Sequence, residues 1–171
     1  MRRAITIVTL CMLVGLYSIP GWADSPHYLK AAASFDAGTA CYSVALKEAG
    51  LGNSGSGPTQ ITYALTCTAT FTASCFNNGG NEIQGTTKTG SGTATAYLTV
   101  PVLRNGSTTG TIAICPASFD LGHPGCTDGQ ELAISAASYS GCGLSDGLGV
   151  SGAASPTLPT LGGTDLFVPV D

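Results

Sequence analysis

Cysteines are the residues of this chain with the plainest chemistry, because pairs of thiols form disulfides or bind a metal. The 171-residue sequence contains seven of them. One lies in an apolar stretch near the first residue, and the other six are Cys41, Cys67, Cys75, Cys115, Cys126 and Cys142. An even number of cysteines in a secreted chain predicts disulfides formed in an oxidising compartment, with about fifteen possible connectivities for six thiols.

A metal site is the competing interpretation of the same residues. Cys115, His123 and Cys126 form a C-x7-H-x2-C pattern. A structural zinc site needs a second pair of ligands, and no other Cys/His pair has the required spacing. We therefore predict disulfides, with no bound metal and no cofactor.

Two motifs match catalytic patterns but lack the secondary structure that those patterns need. Residues 50–55 read G-x-G-x-x-G, yet a strand pattern follows where a dinucleotide-binding loop requires a helix. Residues 143–147 read G-x-S-x-G around Ser145, yet both histidines precede that serine and no strand–helix alternation surrounds it. The acidic residues are scattered, mostly beside turns. We therefore predict no catalytic residues.

Candidate sites for binding without catalysis are weak. Residues 77–82 offer a cation such as calcium one carboxylate and several amides. Tyr97 has the outward parity of its strand and could stack on a sugar ring. Lys47 and Glu48 could bind a ligand, but adjacent residues of a strand point to opposite faces.

The first 23 residues predict a signal peptide that is cleaved after Ala23. A cationic start at residues 1–3 precedes a nearly apolar stretch at residues 4–16, and Gly21 and Ala23 are small. The apolar stretch is shorter than the roughly 20 residues that a membrane span needs. We therefore expect a secreted protein, extracellular or periplasmic, with no membrane span after cleavage.

Charge argues against a nucleic-acid partner. Only 9% of residues are charged and the formal net charge is −4. After cleavage, four basic and ten acidic residues remain, so the net charge becomes 4 − 10 = −6. No basic surface is available to neutralise phosphates.

Alternation of apolar and polar residues predicts strands in most of the remaining chain. It is clearest over residues 61–73, where threonines alternate with apolar residues and Cys67 has the inward parity. Cys75 shares that parity. Residues 92–102 and 109–115 predict a hairpin around the turn at Asn105-Gly106. Shorter strands are predicted near residues 34–35, 42–46, 131–140 and 165–170.

These patterns predict an all-β fold, an immunoglobulin-like or Greek-key β-sandwich of about seven antiparallel strands held by disulfides. The expected organisation is a signal peptide at 1–23, an N-terminal segment at 24–33, a sandwich domain at 34–145, a flexible Gly/Ser/Pro loop or linker at 146–164, and a possible last strand at 165–171.

Three segments follow one another in a recognisable order. Residues 47–53 read KEAGLGN, residues 75–80 match C-x-N-x-G-G, and residues 126–130 match C-x-x-G-Q. In this order they resemble a family of small secreted bacterial proteins of unknown function, and the resemblance covers residues 34–139. The resemblance implies no catalytic residue in this chain. Because the cysteines of the last two segments are usually the only pair in that family, the resemblance implies a Cys75–Cys126 disulfide.

The other four cysteines depart from the family's pattern. A hairpin through residues 50–58 would bring Cys41 near Cys67, which leaves Cys115 to pair with Cys142. Cys41 has the opposite parity to the apolar residues of its own strand, which counts against this choice. In the KEAGLGN segment, we expect Leu51 to cap one open end of the sandwich.

The function expected from the sequence is that of a non-enzymatic extracellular or envelope interaction module whose partner is an unknown protein or glycan. The alternative is a small-ligand or glycan-binding module that uses the loops at one end of the sandwich. A third reading is an unrecognised secreted hydrolase.

Overall fold

The computed structural model describes residues 25–52, 57–119, 125–149 and 152–170, so the predicted signal peptide lies outside the described residues. The strands are β1 (His27–Asp36), β2 (Cys41–Ala49), β3 (Gln60–Asn77), β4 (Lys88–Pro101), β5 (Thr108–Ile114), β6 (Gln130–Asp146) and β7 (Leu161–Pro169). A short 3-10 helix, Pro116–Ser118, follows β5.

The strands form two antiparallel sheets that face each other. One sheet has the order β1-β2-β5 and the other has the order β4-β3-β6-β7. β2 and β5 are neighbours although β3 and β4, which separate them in sequence, belong to the other sheet. Such a connection is a Greek key. The predicted seven-stranded, disulfide-bonded β-sandwich is therefore confirmed.

The core forms where the inward faces of the two sheets meet. The apolar residues with inward parity on β2 and β3 are buried, as the alternation predicts, and Cys67 and Cys75 are buried among them. The outward threonines of β3 instead meet threonines of β4 in pairs, with hydroxyl oxygens 2.8 to 3.2 Å apart; these pairs are Thr62–Thr99, Thr66–Thr95, Thr68–Thr93 and Thr72–Thr89. Hydroxyl groups, rather than charges, therefore cover this face.

The predicted hairpin between residues 92–102 and 109–115 is wrong, because β4 and β5 belong to different sheets. Asn105-Gly106 does form a turn, with Gly106 at a φ of 68°. At this turn the chain crosses the sandwich instead of folding back within one sheet. Alternation shows which face of a strand is buried, but it does not show which strand lies beside it.

Both ends of the sandwich domain extend beyond the predicted boundaries. β1 begins at His27 rather than near residue 34, and β7 begins at Leu161 rather than at residue 165. The segment before β7, predicted as a flexible linker, packs on the core: Leu158 is buried, and the Pro159 carbonyl accepts a hydrogen bond from Tyr42 Oη at 3.0 Å. Small residues dominate both regions, so their hydrophobic signal is weak.

A buried tyrosine joins the two sheets. Tyr139 of β6 is fully buried, and its hydroxyl donates to the carbonyl of Ala40 at 2.7 Å. We expect Tyr139→Phe to lower the free energy of unfolding by about 1–2 kcal/mol, because a buried carbonyl loses its donor. Urea unfolding followed by circular dichroism measures this. Tyr97→Phe is the control, since Tyr97 is 73% exposed, and equal losses in the two variants would contradict the prediction.

Candidate functional site

The six cysteines of the described chain are joined in three disulfides, Cys41–Cys115, Cys67–Cys142 and Cys75–Cys126. The Cys75–Cys126 bond is the one that the resemblance implied. Because Cys115 and Cys126 are both oxidised, neither is a thiolate ligand in the C-x7-H-x2-C pattern, and His123 lies outside the described residues. Among the described residues, no group of three or more His, Cys, Asp or Glu side chains is placed to hold a metal ion.

The predicted pairs Cys41–Cys67 and Cys115–Cys142 are wrong. They assumed that β2 and β3 form a hairpin, but β2 lies beside β5 and β3 lies beside β6. Tyr42 is registered with Ile114, so the preceding Cys41 lies opposite Cys115 across the same two strands. The Greek-key crossing therefore decides the connectivity.

Glu48, near the end of β2, is a fully buried acid. It has the same inward parity as Tyr42, Val44 and Leu46, whereas Lys47 is exposed on the opposite face, as expected for adjacent strand residues. This parity is the sequence signal that could have placed Glu48 in the interior.

The carboxyl group of Glu48 has one clear hydrogen-bond donor. Tyr63 Oη donates to Glu48 Oε2 at 2.5 Å, while Oε1 has no donor among the described residues. Burial raises the pKa of Glu48 to about 7; the Tyr63 hydrogen bond lowers it, and the nearby Asp146 carboxyl raises it further by charge and by hydrogen bonding. Near neutral pH, burial and the neighbouring Asp146 carboxyl therefore favour the protonated form of Glu48.

Asp146 uses its own oxygens to hold the chain after β6. Oδ1 accepts from the backbone N–H of Leu148 at 3.2 Å, and Oδ2 accepts from that of Ala153 at 2.6 Å. Tyr63, Glu48 and Asp146 thus link the core to the connection between β6 and β7. Tyr28 of β1 packs beside Tyr63, with ring centroids 6.3 Å apart.

The chain turns directly after β2, at residues 50–52. Leu51 is fully buried, as expected for a cap, and its N–H donates to the Gly106 carbonyl at 3.0 Å. Gly50 and Gly52 have φ values of 80° and 87°, which favour glycine. A methyl group at Gly50 would lie 2.5 Å from the Ser25 carbonyl oxygen. Glu48 therefore lies in the interior, directly before this turn.

A groove on the outer face of the four-stranded sheet is the second place where polar groups gather. It arises at irregularities in two neighbouring strands. Between β3 and β6, the register shifts at Ser135, whose hydroxyl donates to the Thr72 carbonyl at 3.3 Å. Between β6 and β7, Ile134 faces Val168 and Ala136 faces Thr164, so residues 165–167 lie opposite Ser135 alone. Bulges of this kind turn side chains away from the regular pleat.

The bulge in β7 presents Asp165 and Phe167 to solvent and buries Leu166 between them. Asp165 adopts a φ of 57°, a conformation that Asp tolerates better than most residues. Phe167 is 46% exposed and meets the buried ring of Phe76 edge to face, with centroids 5.0 Å apart.

The turn after β3 forms the other wall of the groove. Glu82 pairs with Phe76 in an isolated bridge, and its Oε1 accepts from Ser74 Oγ at 2.5 Å. The Asn77 side chain, predicted as part of a weak calcium site, accepts from the N–H groups of Gly79 and Asn81 and stabilises this turn. The sequence reasoning missed this groove, since no pattern in the residues marks the two bulges.

The groove has two connected parts. The part near Phe167 has a volume of about 620 Å³ and includes Asn81, Glu82 and Asp165. The other part, of about 440 Å³, runs along β3, β6 and β7 and is lined by Thr70, Ser138 and small residues. Both parts share Thr72, Ala136 and Thr164.

The remaining predicted positions lie apart from this groove. Ser145 is exposed near the end of β6 and is followed by a turn, so it lacks the strand–turn–helix setting of a nucleophile elbow. Tyr97 lies on β4, at the edge of the same sheet, between Thr95 and Thr99 of the threonine pairs. Within the described ranges, no helix is long and apolar enough to cross a membrane.

No protein-family model matches the chain, and no curated protein is found to be similar to it.

Proposed function

We propose that this chain is an exported, non-enzymatic interaction module that binds an extracellular or envelope partner through the outer face of its four-stranded sheet. The predicted signal peptide at residues 1–23 would deliver it to an oxidising compartment, where its three disulfides form.

The observation that carries the proposal is the contrast between the two places where polar groups gather. The acid with a raised pKa, Glu48, is fully buried and hydrogen-bonded to a fully buried tyrosine. A catalytic acid must reach its substrate, so Glu48 is poorly placed for catalysis. The open groove on the outer face instead offers hydroxyl, amide and carboxylate groups together with an exposed aromatic ring, and such a surface suits binding.

Binding to the envelope of the producing cells tests this proposal. We expect the oxidised mature chain, residues 24–171, to sediment with an envelope fraction in a saturable manner. Ser138→Lys, in the floor of the groove, should weaken this binding about tenfold because a long cation fills the cleft. Thr111→Lys, exposed on the other sheet, is the matched control and should bind normally.

Three results would contradict the proposal. They are the absence of saturable binding, an equal loss in both lysine variants, and release of soluble sugars or peptides from the envelope at a rate proportional to protein concentration. The last result would favour the hydrolase interpretation.

A further inference from the structure

We propose that the groove between the turn after β3 and the bulge of β7 binds a neutral polysaccharide chain. This inference rests on the proposed function and names its ligand. The ligand would lie across β3, β6 and β7, with one sugar ring stacked on Phe167 and its hydroxyl groups bonded to Asn81, Glu82 and Asp165.

An aromatic platform is the first requirement of such a site. Phe167 exposes nearly half of its surface, although an aromatic side chain usually lies mostly buried. The buried ring of Phe76 supports it edge to face, and this arrangement fixes its orientation. The apolar C–H face of a sugar can cover this ring without displacing any hydrogen-bonded group of the protein.

Hydrogen-bonding groups surround this platform on two sides. Glu82 Oε1 accepts from the hydroxyls of Ser74 and Thr87, the latter at 3.1 Å, and Asp165 Oδ2 accepts from the hydroxyl of Thr164 at 3.4 Å. Carboxylates accept hydrogen bonds from paired sugar hydroxyls, and charge-assisted bonds are stronger than neutral ones. The hydroxyls of Thr72 and Thr164 extend the polar lining into the second part of the groove.

The charge of the groove disfavours an anionic ligand. Among the described residues that line the groove, Glu82 and Asp165 are the charged ones, and both are acidic. No Lys or Arg is found among these lining residues. Phosphates, sulfates and uronic acids would be repelled by two carboxylates. Sugar hydroxyls carry no charge and suffer no such repulsion.

The shape of the groove favours a chain over a single sugar. Its lining runs from Thr70 to Phe76 along β3, which is about 20 Å at roughly 3.3 Å per residue. It is open to solvent along this length. An added peptide strand is a poorer occupant, because the bulge at 165–167 and Pro169 interrupt the outer edge of β7.

The groove is also rigid before any ligand arrives. The Cys75–Cys126 disulfide ties the end of β3 to the segment before β6, and Ile83 N–H donates to the Cys75 carbonyl at 2.8 Å. The walls of the groove lose their conformational entropy when the protein folds. Binding therefore loses less entropy, which favours affinity.

Binding to immobilised polysaccharides tests the proposal. The probes are β-1,3-glucan, xylan, mannan and chitin, with hyaluronan as an anionic comparison. We expect the oxidised mature chain to bind at least one neutral polymer and to bind hyaluronan least. Phe167→Ala should weaken binding to that polymer at least tenfold, because the stacking platform is lost. Tyr97→Ala removes a more exposed aromatic residue that does not line the groove and should change the affinity less than about twofold.

A second variant tests the same groove with a substitution that should not disturb the fold. Asp165→Asn preserves the size of the side chain and the backbone conformation, and we expect it to weaken binding at least threefold by removing an ionised acceptor. Thermal unfolding by circular dichroism shows whether each variant is folded.

Each contrary outcome has a distinct meaning. If Tyr97→Ala abolishes binding and Phe167→Ala does not, the groove is not the site. If none of the four neutral polymers binds, the polysaccharide proposal is overturned, and the envelope sedimentation above still decides the proposed function because it presumes no sugar. If reducing ends are released from a bound polymer, the protein is an enzyme and the proposed function fails.

Discussion

Replacing Cys67 and Cys142 together by alanine is expected to lower the free energy of unfolding by about 4 kcal/mol. Their disulfide joins positions 75 residues apart, and the chain-entropy model assigns a stabilisation of roughly that size to so long a loop. The bond connects β3 and β6, the two central strands of the four-stranded sheet, and Cys67 is fully buried. The alanine pair therefore also loses packing in the core.

Chemical unfolding of the double variant and of the oxidised parent protein, followed by circular dichroism, measures this difference. Ser140→Ala, exposed on the same strand as Cys142, is the control and should stay within about 0.5 kcal/mol of the parent. A loss below about 1 kcal/mol in the cysteine variant would show that the bond does not constrain the unfolded chain as proposed.

The stability of the protein is expected to fall as the pH rises from about 4.5 to about 7, because Glu48 binds its proton more tightly in the folded state. Its pKa is raised from the ordinary value of 4.5 to about 7, mainly by burial. The folded chain therefore binds more protons than the unfolded chain between these values, and stability decreases with pH across that window. A shift of this size corresponds to roughly 3 kcal/mol, lost once both states are ionised.

Glu48→Gln is the variant that isolates this effect. Its amide oxygen can accept from Tyr63, and its amide nitrogen can donate towards Asp146, so it imitates the protonated acid. We expect the unfolding free energy of this variant to vary little over the same pH window and to exceed that of the parent above pH 7.

Unfolding in urea at intervals of half a pH unit measures both profiles. Glu131→Gln, on the exposed face of β6, is the matched control and should keep the slope of the parent protein. If Glu48→Gln retains that slope, another group controls the pH dependence and the buried acid is ionised in the folded state.

The candidate site could be predicted only in part. The burial of Glu48 follows from its parity with the apolar residues of β2, and the capping role of Leu51 follows from the glycines around it. The partners of Glu48 could not be found in this way, because Tyr63 lies on β3 in the other sheet and Asp146 lies at the end of β6.

The groove depends even more on tertiary structure. Asp165 and Phe167 line the same groove as Glu82 only because β7 takes three residues to pass the single Ser135 of β6. An alternating pattern assumes one residue opposite one residue, so an interrupted register is invisible in it. Phe167 therefore reads in the sequence as an ordinary member of a last strand.

By itself, the sequence determined which residues face inward, because a pleated strand sends alternate side chains to opposite faces. That periodicity was enough for the all-β class, the buried Cys67 and the outward threonines. Only the tertiary structure decided that β2 lies beside β5 and β3 beside β6, and hence which cysteines are bonded. The physical reason is that strand pairing depends on contacts between residues far apart in the chain, and periodicity within one strand carries no information about them.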